Sequence, residues 1–393
     1  MKSTMAMVFV LLLAVVSAFA GSEEANVKTL AEGNNAFALA LYKQLSSEKG
    51  NLFFSPYSIS TALAMCYAGA NGNTKIEMGK VAGFDKLDTE IHSAFSKLNS
   101  MLNLSVKKDK CTLSSANAVW KQKGHPFLPE FISTFKKYYG NGFFEADFGG
   151  DPENTAKTIN QWVENNTAGK IKEFISPDMI QNAYYLLANA VYFKGTWEKP
   201  FKPEYTKEAP FNLSDGTEVN VQMMDEFNKY WYYSNDEFQV VALLYQGKRL
   251  SMLIFLPKEK KNLSDIEKTL SADLIREAVK NLKYDWVKLW LPKFEIEFFN
   301  DFKEILISIG MEDAFSLNAD FSGFDGRKGI PLIAVLHKAV IGVDEKGTEA
   351  AAATAVPGGW ENEFNANRPF MFIIRDNMTS SILFMGRIMD PRK

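Results

Sequence analysis

Hydrophobic and polar positions along the chain follow two different periods, which predict helices early and strands late. Apolar residues recur three or four positions apart over residues 27–45, as on one face of a helix. Residues 51–78 predict a short strand, a turn at Pro56 and a buried helix from Ser58. The fold class is therefore α+β. The other predicted elements are a strand over residues 114–121, a helix over 159–175 that is closed by Gly169, a central strand covered on both faces over 184–193, two strands around a Gln-Gly turn over 240–257, and one strand over 286–298.

One long surface segment, residues 345–363, fits two conformations. It lies between strand-like runs and contains Pro-Gly-Gly, which favours a loop over a helix. If the same residues formed a strand with Glu349 facing solvent, every inward position would be small or β-branched. Such a strand could enter an existing sheet, where bulky side chains would clash with a close-packed core. The alternative is a flexible alanine-rich linker, and composition alone does not separate the two. The inward positions are Thr348, Ala350, Ala352, Thr354 and Val356.

Composition predicts one large globular domain. The chain has 393 residues, of which 46% are hydrophobic and 23% charged, so it can build a large core. No Pro/Ser/Gly linker, repeat or composition break divides it. The formal net charge of -3 gives no general attraction to nucleic acid or to an anionic membrane, and we expect neither partner.

The first 20 residues have the pattern of a signal peptide. Lys2 is followed by an apolar run over residues 8–16 and by Ala18-Phe19-Ala20, so we expect cleavage after Ala20. The run is shorter than the roughly 20 apolar residues of a membrane-spanning helix. The predicted domain is thus 21–393, in a secreted, extracellular protein. Five glycosylation sequons fit that route, at Asn103, Asn165, Asn212, Asn262 and Asn377.

Cysteines and histidines give no sign of catalytic or metal chemistry. Cys66 and Cys111 lie in apolar runs, where buried free thiols are favoured, although a bridge between them stays open. The three histidines are His92, His125 and His337, and the chain has no Gly-x-Ser-x-Gly, His-Glu-x-x-His or phosphate-loop motif. We expect His92 and His125 on the surface, no cofactor, no metal and no enzymatic activity.

Several ordered segments carry a family resemblance. The loop and its flanks closely resemble the hinge and reactive-centre loop of the serpins, which are serine protease inhibitors. The chain also resembles the secreted salivary serpins of ticks. The resemblance covers about residues 31–391. The matching segments are residues 51–78, LANAVYFKGTWEKPF at 187–201, KLWLPKFEI at 288–296, IGMEDAFSLNADFSGF at 309–324, HKAVIGVDEKGTEAAAATAV at 337–356 and RPFMFIIRDNMTSSILFMGRIMDP at 368–391.

The resemblance implies a fold and a set of functional positions. The fold would have a large central β-sheet A, two further sheets, about nine helices and an exposed reactive-centre loop at about 345–366. Polar residues matching those that latch the sheet are Ser55, Ser58, Asn189 and His337. Where the loop enters, Glu345 and Lys293 match an ion pair and Trp197 the aromatic beside it. The matching hinge residues are Glu345, Gly347, Thr348, Glu349, Ala350, Ala351, Ala352, Ala353 and Thr354.

The same resemblance implies a suicide-substrate mechanism. A target serine protease would cleave the loop and remain bound as an acyl-enzyme while the hinge enters the sheet. The bait residue usually lies 14 positions after the hinge glycine, which gives Glu361 and a reactive bond between Glu361 and Asn362. From Gly347 to Pro369 the loop is about three residues shorter than in many relatives, which leaves Trp360 as the alternative bait.

Two functional alternatives remain at this stage. A non-inhibitory serpin acting as a carrier, chaperone or interaction protein would often have charged, bulky or proline residues in the hinge. Residues 347–356 have none apart from Glu349, which the assigned parity turns outward. Pro357 and the two glycines after it are unfavourable in a strand, because proline lacks a hydrogen-bond donor and glycine weakens the strand. Lys107, Lys108 and Lys110 lie where some serpins bind sulfated polysaccharide, although a short basic run is usually only a solvated surface. We expect a monomer.

Overall fold

The computed structural model describes residues 2–108, 111–124, 126–181, 183–346 and 362–393, with the side chains of 2–21 and 104–108 left out. Ten α-helices occur in these ranges, which agrees with the α+β class. Their bounds are α1 Lys2–Leu45, α2 Pro56–Tyr67, α3 Gly72–Ala82, α4 Ile91–Lys108, α5 Pro129–Tyr139, α6 Pro152–Asn166, α7 Leu263–Thr269, α8 Ala272–Lys280, α9 Lys303–Ser308 and α10 Ser322–Asp325.

Fourteen strands in the described ranges form two sheets. A five-stranded sheet, here called the central sheet, has the order β10-β11-β4-β2-β3, and a nine-stranded sheet has the order β1-β14-β13-β8-β7-β6-β9-β12 with β5 beside β6. The bounds are β1 Leu52–Phe54, β2 Thr112–Gln122, β3 Phe143–Ala146, β4 Tyr185–Lys194, β5 Lys207–Asn212, β6 Glu218–Ser234, β7 Phe238–Leu244, β8 Leu250–Pro257, β9 Lys283–Pro292, β10 Phe294–Asp301, β11 Leu332–Val343, β12 Glu363–Asn365, β13 Phe370–Asp376 and β14 Ile382–Ile388.

The nine-stranded sheet joins strands that the resemblance assigned to two separate sheets. β6 is 17 residues long: residues 218–223 pair with β5, residues 223–232 with β9 and residues 231–234 with β7. One strand therefore belongs to both halves, and hydrogen bonding is continuous across them.

The middle of the central sheet is a parallel pair. β11 pairs with β4 from Leu332↔Tyr185 to Ile341↔Phe193, whereas β10 and β2 flank this pair in antiparallel orientation. Alternate residues of β4 enter different cores: Leu187 and Val191 pack in the larger core with α2, and Leu186 packs in a smaller core with α6. Burial on both faces explains the near-continuous apolar run that predicted this strand.

Three predicted boundaries differ from the structure. Residues 286–298 form two strands, β9 and β10, in different sheets, because the chain leaves one sheet at Pro292 and joins the other at Phe294. α6 ends at Asn166 rather than continuing to residue 175, since Ala168 and Gly169 have φ values of 53° and 72°. α1 begins at Lys2 rather than at residue 27. Within the described residues, no helix is both long and apolar enough to cross a membrane.

A buried arginine joins the C-terminal strand to the end of the first helix. Arg387 of β14 is 3% exposed, and its guanidinium donates to the carbonyl oxygens of Ser46 at 2.9 Å and Gly50 at 3.0 Å, and also to that of Glu48. It forms an ion pair with Glu267 of α7 at 3.0 Å. These carbonyls belong to the turns that directly follow α1, and a cation near the C-terminus of a helix is also favoured by the helix dipole.

We expect Arg387→Met to lower the free energy of unfolding by about 3–5 kcal/mol, because the largely buried Glu267 carboxylate loses its charge partner and keeps only the Tyr42 hydroxyl, and three carbonyl contacts are lost. Urea denaturation would measure the loss. The matched control is Arg276→Met, which removes an exposed ion pair with Asp273 and should change stability little. Equal losses in the two variants would contradict the role given to Arg387.

Candidate functional site

Polar side chains meet under the middle of the central sheet, at the N-terminus of α2. Three of them stand side by side on neighbouring strands, because His337 pairs with Asn189 and Asn189 pairs with Asn117. Ser55 and Ser58 reach the same point from α2, where Ser55 is the N-cap. All four residues predicted from the sequence are therefore brought together, each with an exposure of 2% or less. We call the group the polar latch, and it consists of Ser55, Ser58, Ser115, Asn117, Asn189 and His337.

The hydrogen bonds of the polar latch fix the protonation state of its histidine. The backbone N–H of Ser55 donates to Nε2 of His337 at 3.1 Å, so Nε2 carries no proton. Nδ1 then holds the proton and donates it to Oδ1 of Asn189. Complete burial lowers the pKa of His337 to about 3, because a charged imidazolium would be desolvated there and would lose its acceptor role. His337 is thus neutral, and its bond to Asn189 crosses from β11 to β4.

Two members of the polar latch were missed by sequence reasoning. The side-chain amide of Asn189 donates to Ser58 Oγ at 2.6 Å and to Oδ1 of Asn117, and Ser58 Oγ lies 3.0 Å from Ser115 Oγ. Ser115 and Asn117 share one face of β2 because they are two residues apart. That spacing was visible in the predicted strand 114–121, but only the cross-strand register places the pair beside Asn189.

The second cluster lies at the end of β11, where the predicted loop would begin. We call it the loop entrance, and it consists of Trp197, Thr206, Lys293, Asp344 and Glu345. The Lys293 ammonium is 2.8 Å from Glu345 Oε2, and the Thr206 hydroxyl donates to Oε1 at 2.8 Å. Burial opposes ionisation of Glu345, but these partners outweigh it and hold the pKa of Glu345 below its ordinary value. The predicted ion pair is present, and Thr206 is an addition to it.

Trp197 fixes the backbone on the other side of the loop entrance. Its indole N–H donates to the carbonyl oxygen of Asp344 at 3.0 Å, and its ring stacks on Tyr245 at 4.5 Å between centroids. A side chain at Gly195 would collide with the Tyr245 ring, since a Cβ there would lie 2.2 Å from it. The close approach of chain and ring therefore requires glycine at this position.

After the predicted loop, the described residues resume at Asn362. Its carbonyl oxygen accepts from the backbone N–H of Lys288 at 3.0 Å, and its side-chain amide donates to Asp285 and to the carbonyl oxygen of Trp286, each at 3.2 Å. β12 then runs parallel to β9. The other predicted loop positions, Trp360, Glu361 and the hinge residues from Gly347 to Thr354, lie outside the described residues.

The predicted glycosylation positions are all exposed but differ in what their amides contact. Asn103, Asn165 and Asn262 face solvent on or beside helices, whereas the Asn377 amide donates to the carbonyl oxygen of Lys248 at 2.9 Å. The Asn212 amide has a longer contact, 3.3 Å, with the carbonyl oxygen of Asn367. Attaching a glycan to Asn377 would thus disturb an existing hydrogen bond.

The predicted surface position of His92 is wrong. This residue of α4 is largely buried among tyrosines, and its Nδ1 lies 2.7 Å from the Tyr139 hydroxyl. Burial, and then the charge of Lys75, lowers the pKa of His92 to about 4. Polar neighbours in sequence misled the prediction because helical spacing turns His92 toward α5. His125, Lys110 and the side chains of Lys107 and Lys108 lie outside the described residues.

Cys66 and Cys111 are both buried free thiols, as favoured from the sequence. Burial raises the pKa of the Cys66 thiol, so it is protonated and unreactive. Among the described residues, no group of three or more His, Cys, Asp or Glu side chains is arranged to hold a metal ion.

Comparison with known proteins gives consistent matches over nearly the whole chain. The family model described as Serpin (serine protease inhibitor) matches residues 32–391. Serpin B3 of Homo sapiens is 38% identical over 392 residues, and the leukocyte elastase inhibitor of Bos taurus is 39% identical over 385; each match covers 93% of this chain and 100% of the relative. The crystal structure of maspin has a TM-score of 0.86 at 31% identity, with coverage of 93% and 100%. Uncleaved ovalbumin has a TM-score of 0.85 at 28% identity, with coverage of 92% and 100%.

The buried neutral His337 predicts a loss of stability in acid. Its pKa is about 3 in the folded protein against 6.5 when exposed, so below pH 6.5 the unfolded chain binds a proton that the folded protein excludes. The free energy of unfolding keeps its full value above pH 6.5 and decreases as the pH falls toward 3, by about 2 kcal/mol between pH 7 and pH 5. Urea denaturation at both pH values would measure this loss.

His337→Gln should remove this share of the pH dependence, whatever its effect on stability at pH 7. Because the pKa of His92 is also lowered, His92→Gln and the double variant serve as controls that separate the two contributions. If His337→Gln kept the full loss of stability between pH 7 and pH 5, the neutral assignment would be wrong.

Proposed function

The chain belongs to the serpin family, and on that premise we propose that it inhibits serine proteases by trapping them as covalent acyl-enzymes. It is a protease inhibitor rather than an enzyme. The observation that carries the proposal is the parallel contact between β4 and β11 in the middle of the central sheet, since the predicted hinge follows β11 in the sequence.

A strand inserted between β4 and β11 would improve the sheet. The hinge follows the end of β11, so on turning back it would run antiparallel to both neighbours. One parallel contact would be replaced by two antiparallel contacts, and parallel pairing is slightly less stable per residue. The polar latch opposes this step, because the bond from His337 to Asn189 has to break first. The uncleaved protein is therefore expected to be held in its state by kinetics.

The chemistry follows ordinary acyl transfer. The target's serine hydroxyl attacks the carbonyl of the bait residue, the peptide bond to the next residue breaks, and an ester joins the serpin to the protease. About 14 inserted residues would move that ester by roughly 45 Å at the usual rise per residue. Distortion of the protease at the far end of the sheet then prevents water from hydrolysing the ester.

We also propose that the protein is secreted after cleavage following Ala20. The support is the charged, apolar and small-residue pattern of residues 1–20, together with the exposure of the five sequons. Among the sequons, the contacts favour glycosylation at Asn103, Asn165 and Asn262 over Asn377. The rival is a non-inhibitory serpin that acts as a carrier, chaperone or interaction protein, which would keep the loop outside the sheet after cleavage.

Cleavage of the loop should raise the melting temperature strongly, because the freed hinge then completes the central sheet. Differential scanning calorimetry of intact protein and of protein cleaved by a protease that escapes trapping would measure the change. If the intact and the cleaved protein melted within a few degrees of each other, insertion would be ruled out and the non-inhibitory alternative favoured.

Thr348→Arg should turn the inhibitor into a substrate, because it places a charge beneath the sheet at a cost of several kcal/mol unless it finds a partner. SDS gels of the protein mixed with a panel of serine proteases would show loss of the stable complex and accumulation of cleaved serpin. The matched control is Glu349→Arg, whose side chain would face solvent and should leave the complex intact. Stable complexes from both variants at the parent's rate would overturn the assigned parity.

The reactive bond is proposed to be Glu361–Asn362, with Trp360–Glu361 as the alternative. A glutamate bait fits a protease with a basic pocket, such as a granzyme B-like or glutamate-specific enzyme, because an unpaired carboxylate is costly in an apolar pocket. A tryptophan bait fits chymotrypsin-like or cathepsin G-like enzymes. Cleavage after Glu361 also requires Asn362 to break its hydrogen bonds with β9. This cost is the reason for keeping Trp360 as the alternative bait.

Mass spectrometry of the released C-terminal peptide identifies the bond. A fragment beginning at Asn362 is expected, and one beginning at Glu361 would assign the bait to Trp360. The panel should include leukocyte elastase, since relatives are named for its inhibition. Cleavage at any other bond would contradict both assignments.

A further inference from the structure

A cavity of about 470 Å³ opens beside the loop entrance, with which it shares Trp197. Its walls come from β6, β7, the start of β9 and the chain that follows β4. Ala242 and Leu243 of β7 are buried there, and Trp197 closes one side. The volume lies within the range of small-molecule sites, and the cavity is separate from the polar latch.

The outer wall is made of aromatic rings that face solvent. Trp231 and Tyr284 stand directly opposite each other on β6 and β9, with ring centroids 5.5 Å apart. They are 41% and 50% exposed, which is unusual for such large side chains. Tyr230, the third ring, is buried, and its hydroxyl has no hydrogen-bond partner among the described residues. A ligand with a flat apolar body would cover surface that is otherwise left in water.

The charges at the cavity are mainly positive. Three lysines line it against one glutamate, and that glutamate, Glu198, is paired with Lys248 at 3.3 Å. Lys199 is different because its ammonium donates only to neutral oxygens: Asn228 Oδ1 at 2.8 Å, the Lys229 carbonyl oxygen at 2.7 Å and the Tyr284 hydroxyl at 3.0 Å. Within the described residues no carboxylate pairs with it. Its charge is held in place but not neutralised.

We propose that this cavity binds a small organic anion with a flat, apolar body, such as an aromatic carboxylate or sulfonate. The body lies between Trp231, Tyr284 and the buried wall of β7, and the anionic group pairs with Lys199. Lys229 adds a second positive charge at the rim.

A cationic ligand is disfavoured although aromatic rings often bind cations. The Lys199 ammonium already lies 5.7 Å from the ring centroid of Tyr230 and 5.2 Å from that of Tyr284. A second cation at these rings would meet like charge at close range, in a site where solvent screening is reduced.

Titration calorimetry with three naphthalene compounds of similar size tests the ligand's charge: 1-naphthalenesulfonate, neutral 1-naphthalenemethanol and cationic 1-naphthylmethylammonium. The intact serpin is used without any protease, so the outcome does not depend on the proposed inhibitory mechanism. We expect one saturable site that binds the sulfonate at least tenfold more tightly than the alcohol, with no measurable binding of the cation. Equal affinity for sulfonate and alcohol, preference for the cation, or no saturable binding would overturn the proposal.

Variants then locate the site. Lys199→Met should weaken sulfonate binding about tenfold and leave the alcohol nearly unchanged, whereas Lys199→Arg should retain most of the affinity. Trp231→Ala should weaken both ligands. The matched controls are Trp286→Ala, which removes a neighbouring aromatic of β9 that does not line the cavity, and Lys268→Met on α7.

Melting curves establish that each variant is folded, and Lys199→Arg keeps the charge test valid if Lys199→Met is unstable. If Trp286→Ala lowered the affinity as much as Trp231→Ala, the binding would be a general property of exposed aromatic rings and the cavity assignment would be wrong.

Discussion

The parallel contact between β4 and β11 is the constraint on which the rest of the structure depends. Both strands lie in the middle of a sheet that is buried on both faces, yet their shared edge has the pairing that is weaker per residue. Every other neighbour in the central sheet, apart from the short β3, is antiparallel. The fold thus keeps one line along which an antiparallel strand would fit better than the contact already present.

The polar latch stabilises the middle of that line, and the loop entrance stabilises its end beside the loop by different physical means. The polar latch is a chain of neutral hydrogen bonds that is buried except at Ser115 and Asn117, and one lost partner in its buried part leaves several groups unsatisfied. The loop entrance uses a partly exposed ion pair and a stacked indole, which tolerate rearrangement better. The hydrogen bonds at the centre are therefore costly to break, whereas the contacts beside the loop break more easily. This difference fits a sheet that opens from the loop end inward.

Trp197 connects the loop entrance with the neighbouring cavity. One edge of its indole holds the carbonyl oxygen of Asp344, and the same side chain closes a wall of the cavity that Lys199 and Tyr284 line. Trp197 and Tyr230 belong to the core, but Trp231 and Tyr284 contribute little to it, since they are 41% and 50% exposed. Their arrangement is better explained by recognition than by packing.

The sequence by itself determined the fold class, the central strands and the buried helix, which it started at Ser58 and the structure starts at Pro56, because each depends on a local period of two or 3.6 residues. The inward parity of the hinge stays a prediction. The resemblance to serpins added Ser55, Ser58, Asn189 and His337, whose side chains lie together in the structure. Only the tertiary structure decided what depends on register between distant strands. It separated β9 from β10 at Pro292, brought Ser115 and Asn117 to the polar latch, buried His92 against α5 and opposed Trp231 to Tyr284. These are contacts between residues far apart in the chain, and a single sequence carries no local period that encodes them.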